Sequence, residues 1–232
     1  MSWVCEVAVT GGPDRTAPLA AWLSGAARPL LTALPSLDRL DAYVPAGEES
    51  RDPYNRREEA PLLLLVAGFA SEAGLRAAFA APALREALEA LPEGVGATVS
   101  ALRRTFYAPS QDGRLDAPVS YVVRYTRPAA DEALFVRNYV DSHPSTQAHL
   151  PGIRAVMCYF PLRDLALAGW PAMDYLIGNE VAFDSVEAFN AAMLSPAREE
   201  LRTHFREFPA YSGINSHFLM RRRRLGADVG EA

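Results

Sequence analysis

A chain of 232 residues, half of them hydrophobic and 22% charged, can bury one large core or two domains of about 100 residues each. A formal charge of -5, with every basic residue an arginine, argues against a general nucleic-acid-binding surface. Two cysteines, Cys5 and Cys158, are too few for a disulfide framework and too widely spaced for a metal site, and in their apolar runs they read as buried thiols. The start "MSWVCEVAV" is no signal peptide, and the longest apolar stretch, "APLLLLVA", is too short to cross a bilayer, so a cytoplasmic protein without membrane or nucleic-acid partners is expected.

In chain order, the Val-rich "WVCEVAVTG" predicts a strand ended by Gly-Gly-Pro. Leu19, Leu23, Ala26, Leu30 and Leu34 then recur at helical spacing. Strands follow over "LDRLDAYV" and "PLLLLVAGF", then a helix from Ser71 to Ala90 and a strand over "GATVSALRRTFY". Past a linker at 108–118 the order returns: strand "VSYVVRYT", a helix from Asp131 to about Ser142, strands "IRAVMCYF" and "DYLIGNEVAF", a helix from Val186 to Phe208 capped by Asp184 and Ser185, and strand "SGINSHFLMRRR". The tail, 225–232, reads as disordered.

The two halves align. Leu34-Pro35, Tyr43 and Pro45 correspond to Leu150-Pro151, Tyr159 and Pro161, 116 residues on; Phe69, Ser71 and Pro82 correspond to Phe183, Ser185 and Pro196, 114 residues on. A βαββαβ unit forms a four-stranded antiparallel sheet with both helices on one face. Strands as apolar as "PLLLLVAGF" are buried on both faces, so the open sheet faces need mutual cover. The expected fold is α+β: two tandem ferredoxin-like units, 1–107 and 119–224, packed sheet to sheet as an internal dimeric α/β barrel, as a monomer with an internal pseudo-dimer or as a homodimer.

The stretch "YTRPAADEALFVRNYVDSHPSTQAHLPGIRAVMCYFP" resembles an EthD-like domain of the dimeric α/β barrel superfamily: a first strand ending in Arg-Pro, an aromatic-rich helix, His-Pro, then Leu-Pro-Gly before the next strand. The resemblance continues through "VAFDSVEAFNAAMLSPA". In the first unit it holds only in pattern, with no histidine opposite His143. It implies a pocket-forming barrel from a superfamily of cofactor-free monooxygenases, polyketide cyclases, isomerases, haem-degrading enzymes and small-molecule sensors. Shared fold does not choose among these.

Phe135, Tyr139 and His143 share one helix face, and Pro144 disfavours helix at His143, which predicts an imidazole at the helix terminus near the barrel rim. There His143 can act as acid or base, with Tyr139 orienting a substrate oxygen, or it can simply cap the helix. Strand alternation turns Tyr121, Val123, Tyr125, Ile177, Val181 and Phe183 toward the helices, and Val122, Arg124, Glu6, Ala8 and Glu180 toward the cavity. Asn215 and His217 are expected to join Arg124 and Glu180 as substrate-binding groups, although a buried Arg–Glu pair can equally satisfy itself. His149 and His204 read as surface residues, no spacing resembles a metal site, and no cofactor is expected. "RRRR" at 221–224 should alternate between faces and pair with acids, 46–60 reads as a charged mobile loop, and its apolar counterpart with Trp170 as a lid or a partner contact. The leading function is a cofactor-independent lyase, isomerase or monooxygenase acting on a small hydrophobic, aromatic or polyketide-like compound. The alternatives are a non-catalytic carrier or sensor, an accessory protein, or a haem-binding barrel.

Overall fold

The computed structural model describes residues 1–225, and the tail residues 226–232, read above as disordered, lie outside the described residues. Leu225 departs from that reading: it is buried, and its N–H donates to the Leu40 carbonyl at 2.7 Å.

Eight strands, β1 (Ser2–Gly11), β2 (Leu37–Pro45), β3 (Leu63–Phe69), β4 (Val95–Tyr107), β5 (Val119–Thr126), β6 (Ile153–Pro161), β7 (Tyr175–Phe183) and β8 (Asn215–Arg224), form one closed antiparallel barrel in the order β1-β3-β2-β8-β5-β7-β6-β4. Each half therefore has the ferredoxin-like order, with its first and third strands central. The halves are hydrogen-bonded at both edges, β2 to β8 and β4 to β6, so no open strand edge remains in the barrel. The expected α+β internal barrel is what forms.

Alternation sorts the side chains into three cores. Val4, Tyr43, Val66, Leu102, Val122, Met157, Tyr159, Phe218 and Met220 fill the barrel, and each half packs a second apolar layer between its sheet and its helices. Among the four arginines of β8, Arg222 points inward onto Asp41 (2.8 Å), Arg221 pairs with Glu48 and Arg223 is exposed, as alternation requires.

The helices differ from the sequence pattern where proline intervenes. The first is α1 (Thr16–Trp22), a π-helical stretch at Leu23–Ala27 and α2 (Arg28–Thr32). The π turn, ahead of Pro29 with its missing N–H, shifts the buried face to Leu23, Ala27, Leu31 and Leu34, leaving Ala26 and Leu30 only part-buried. Ser71–Ala90 is two helices, α3 (Glu72–Ala80) and α4 (Pro82–Glu89), because Pro82 holds Ala81 extended. In the same way α6 (Val186–Met193) breaks before α7 (Pro196–Phe205). Ser185 alone caps α6, accepting from the Ala188 N–H at 3.2 Å, while Asp184 pairs with Arg154. Ser185→Ala should cost about 1 kcal/mol, read as a lowered urea midpoint. No helix among the described residues is long and apolar enough to cross a membrane.

Candidate functional site

The helix α5 (Glu132–Gln147) does not stop at Ser142: it runs through Pro144 and ends at Gln147. His143 therefore lies within the helix, against the outer face of the β5–β8 sheet, rather than at a terminus on the barrel rim. Proline inside a helix costs ~3 kcal/mol or more. Two observations account for its being borne here. Phe135, Tyr139, His143 and Gln147 form one continuous buried stripe, with the Tyr139 and His143 rings stacked at 4.4 Å. Hydroxyls also supplement the backbone ladder: Ser142 Oγ donates to the Asn138 carbonyl at 2.7 Å and Thr146 Oγ1 to the Ser142 carbonyl at 3.1 Å.

Strand register places the partners of His143. Residues paired across neighbouring strands share a face, and β5 pairs Val123 with both Asn179 and His217, and Tyr125 with Asn215. Val123 and Tyr125 face the helices, so His217 and Asn215 do too. This corrects their expected grouping with Arg124 and Glu180, which lie inside the barrel on the opposite face. There Arg124 Nε and Nη2 donate to Glu6, and Nη1 reaches the Val123 and Asn179 carbonyls at 3.0 and 3.2 Å. Glu180 accepts from the hydroxyls of Ser120 (2.6 Å), Tyr159 (2.5 Å) and Tyr43 (3.2 Å). Arg124 thus has a partner on each of its three nitrogens, and these bonds use four of its five N–H donors.

His143, Tyr139, Gln147, Asn179 and His217 meet in a chamber of about 50 Å³, which adjoins an outer chamber of about 180 Å³ lined by His143, Tyr125, Arg198, His217, Asn215 and Tyr54. Gln147 Nε2 donates to Asn179 Oδ1 at 2.8 Å, and Asn179 Nδ2 donates back to Gln147 Oε1 at 3.0 Å. His149 is exposed, but His204 is only half-exposed, with its ring 6.4 Å from that of His143.

The loop 46–60, expected to be mobile, is tied down over this site. Arg56 N–H donates to the His217 carbonyl (2.8 Å), Leu219 N–H to Asn55 Oδ1 (2.9 Å) and Arg51 N–H to Asn190 Oδ1 (2.7 Å). The loop inserts the buried Asp52 against Arg198 at 2.8 Å and sets the Tyr54 ring 5.7 Å from His217. The equivalent loop of the second half crosses the other way, packing Leu162, Leu165, Leu167 and Trp170 into the apolar layer of the first half. Asp52, Arg198, Gln147 and Asn179 were not singled out in the sequence. Replacing Asp52 with alanine should strand the Arg198 charge and loosen the loop, costing about 3–5 kcal/mol by urea unfolding.

The first half supplies an internal comparison. At offsets of 116 and 114 residues His143, Gln147 and Arg198 correspond to Ala27, Leu31 and Leu84, and by register Asn179 and His217 correspond to Leu65 and Val99. All five counterparts are buried in one apolar cluster. The same framework thus closes with an aliphatic layer, so folding by itself does not call for this polar set.

Burial governs protonation here. Desolvation first, then the nearby His204 and Arg198, lower the His143 pKa to about 3. Desolvation lowers His217 to about 4, with Asp52 opposing and Arg198 and Arg56 assisting. Burial raises Tyr121, Tyr125 and Tyr139, so at neutral pH the site presents neutral imidazoles and phenols beside the Arg198–Asp52 pair. Because Ser142 Oγ spends its proton on Asn138, its 3.3 Å contact to His143 Nδ1 assigns the proton to Nδ1 and leaves Nε2 an acceptor. An unfolded histidine takes up its proton near pH 6.5 and these two do not, so the stability they contribute is full above that pH and is lost as pH falls toward 4 and 3. Between pH 6.5 and 5 the wild type should lose roughly 2–4 kcal/mol more in urea unfolding than a His143→Gln/His217→Gln variant.

No group of three or more His, Cys, Asp or Glu side chains that could hold a metal ion occurs among the described residues. No family model matches the sequence, and no curated protein matches it significantly. Among solved structures the chain is similar to an anthrone oxidase-like protein, with a TM-score of 0.62 at 14% identity over 100% of this chain and 96% of the other. It is also similar to a candidate monooxygenase from Lactobacillus acidophilus NCFM (TM-score 0.56, 10% identity, 96% and 94% covered). A candidate chlorite dismutase matches over 97% of both chains, with a TM-score of 0.50 at 11% identity. At these identities the likeness concerns the fold, and that fold is the dimeric α/β barrel, here with both halves supplied by one polypeptide.

Proposed function

We propose that the protein is a cofactor-independent enzyme acting on a small aromatic or polyketide-like compound in the chamber between the β5–β8 sheet and α5 and α7. The observation that carries this reading is the set of five buried or half-buried polar residues, His143, Gln147, Asn179, Arg198 and His217, each of which has an aliphatic counterpart in the first half. The outer chamber, at about 180 Å³, suits a single aromatic ring, since a cavity of ~150 Å³ accepts benzene. Tyr125, Tyr54, Phe205 and Leu201 give it apolar and aromatic surface beside its polar lining. His143 Nε2 would accept a proton from the substrate, and Tyr139, buried and neutral, would orient a substrate oxygen. The EthD-like pattern around His143 and the anthrone oxidase-like and monooxygenase-type neighbours agree with a lyase, isomerase or oxygenase step.

A haem does not fit this site: chambers of about 50 and 180 Å³ fall below the roughly 300–1,000 Å³ of pockets that enclose ligands of drug size. A carrier or sensor is the second reading. It is favoured by the protonation of the site, because neither His143 nor His217 titrates near neutrality. The deciding experiment incubates the protein with a panel of hydroxyaromatic and polyketide-like compounds in buffer without added metal, flavin or haem, and analyses products by mass spectrometry. Conversion in buffer alone supports the enzyme. Conversion that requires an added cofactor overturns cofactor independence, and saturable binding without conversion selects the carrier.

A further inference from the structure

Resting on the chamber assigned above, we propose that its ligand carries an anionic oxygen group, a carboxylate or an acidic phenolate, held by Arg198, Arg202 and His217. The first observation is a ladder at α7: Arg198 and Arg202 stand four residues apart on the helix, Arg206 follows at its C-cap, and all three line the outer chamber. No carboxylate lines that chamber among the described residues. The acids nearest the ladder are already engaged: Asp52 Oδ2 bonds Arg198 and its Oδ1 accepts from the Tyr54 N–H at 2.9 Å, while Glu199 pairs with Arg202 at 3.2 Å on the exposed side.

The second observation is where hydrogen bonding fails. Five buried side-chain polar atoms lack a partner among the described residues, and three of them, Arg198 Nε, Arg202 Nε and His217 Nε2, belong to residues that line the outer chamber. Such groups are rare in folded proteins because an unpaired buried donor forfeits its hydration, so a cluster of them at one cavity marks a place where something else binds. His217 is the most enclosed, with 7% of its surface exposed. When the Tyr121 hydroxyl donates to His217 Nδ1, at 3.1 Å, the ring proton sits on Nε2. An anionic oxygen selects that tautomer, and it would take donors from Arg198, Arg202 and His217 together. Asp52 and Tyr121 then act as positioning residues, the first fixing the guanidinium and the second the imidazole. The aromatic body of the ligand would lie against Tyr125, Phe205 and Leu201, placing its reactive edge toward His143.

The test compares salicylate with salicylamide, close in shape but differing in charge, by isothermal titration at pH 7.5 with the full chain. Salicylate should bind at least tenfold more tightly, a difference of about 1.4 kcal/mol, and the gap should narrow in high salt. Arg202 is about one-third exposed and Arg206 is exposed, so Arg202→Gln and Arg206→Gln should keep the far-ultraviolet dichroism of the wild type. Arg202→Gln should remove most of the preference for salicylate, and Arg206→Gln a smaller part. Equal affinity for the two probes would overturn the anion assignment and leave the chamber reading intact. A preference for salicylate unchanged in both variants would place the anion elsewhere and also overturn it. Failure of either probe to bind at millimolar concentration would count against the chamber itself.

Discussion

Replacing His143 with alanine should lower the turnover of a converted substrate by about 10²–10⁴-fold, while its dissociation constant changes by no more than about threefold. The separation follows from geometry. In the proposed site His143 meets the chamber through an acceptor nitrogen, whereas affinity would rest on the aromatic side chains and on Arg198 and Arg202. Burial holds the imidazole near pKa 3, which disfavours the imidazolium by about 5 kcal/mol relative to water. A proton can therefore move to His143 only as negative charge develops on the substrate beside it. The corresponding pH profile has no histidine limb near 6.5: kcat/KM should stay flat from pH 8 to 5 on the His143 side. A shoulder near 6.5 that disappears in His143→Gln would show instead that the occupied chamber is wet. If His143→Ala changes affinity and nothing is ever turned over, the carrier reading stands.

Arg124→Met should destabilise the protein by about 3–5 kcal/mol, because it leaves the Glu6 carboxylate buried in the barrel without its counter-ion. Both side chains are almost wholly enclosed, and the guanidinium also bonds two backbone carbonyls. The double variant Glu6→Leu/Arg124→Met removes both charges and should recover most of the loss, since well-packed apolar pairs replace buried ion pairs at little cost. Urea titrations of the two single variants and the double variant form a cycle that measures the coupling. A single variant within about 1 kcal/mol of wild type would mean that water reaches Glu6 and that the barrel interior is not dry.

Much of this organisation is legible in the residues alone. Short apolar runs, several of them buried on both faces, name the strands, and the recurrence of Leu-Pro, Tyr and Pro at one offset names the two related halves. The sheet faces of Tyr121, Val123, Arg124 and Glu180 also follow from alternation. Helix ends were harder to read. Pro82 and Pro196 break helices because the preceding residue turns extended, yet Pro144 does not, because the Phe135–Gln147 stripe gains more by packing than one lost hydrogen bond costs. The spacing of Arg198, Arg202 and Arg206 was visible throughout, but a ladder of arginines on a helix carries no meaning until the face it presents is known.

The sequence by itself determined the element order, the α+β class, the two related halves and the helix that carries His143, since these depend on local propensity and on the period of apolar residues. Tertiary structure alone decided which polar residues meet. The face of His217 depends on its pairing with Val123, and one residue of register moves a side chain to the other side of a sheet. The placement of Asp52 depends on a loop that crosses from one half to the other and is held by hydrogen bonds to β8 and α6, contacts between segments more than 130 residues apart that no local pattern encodes.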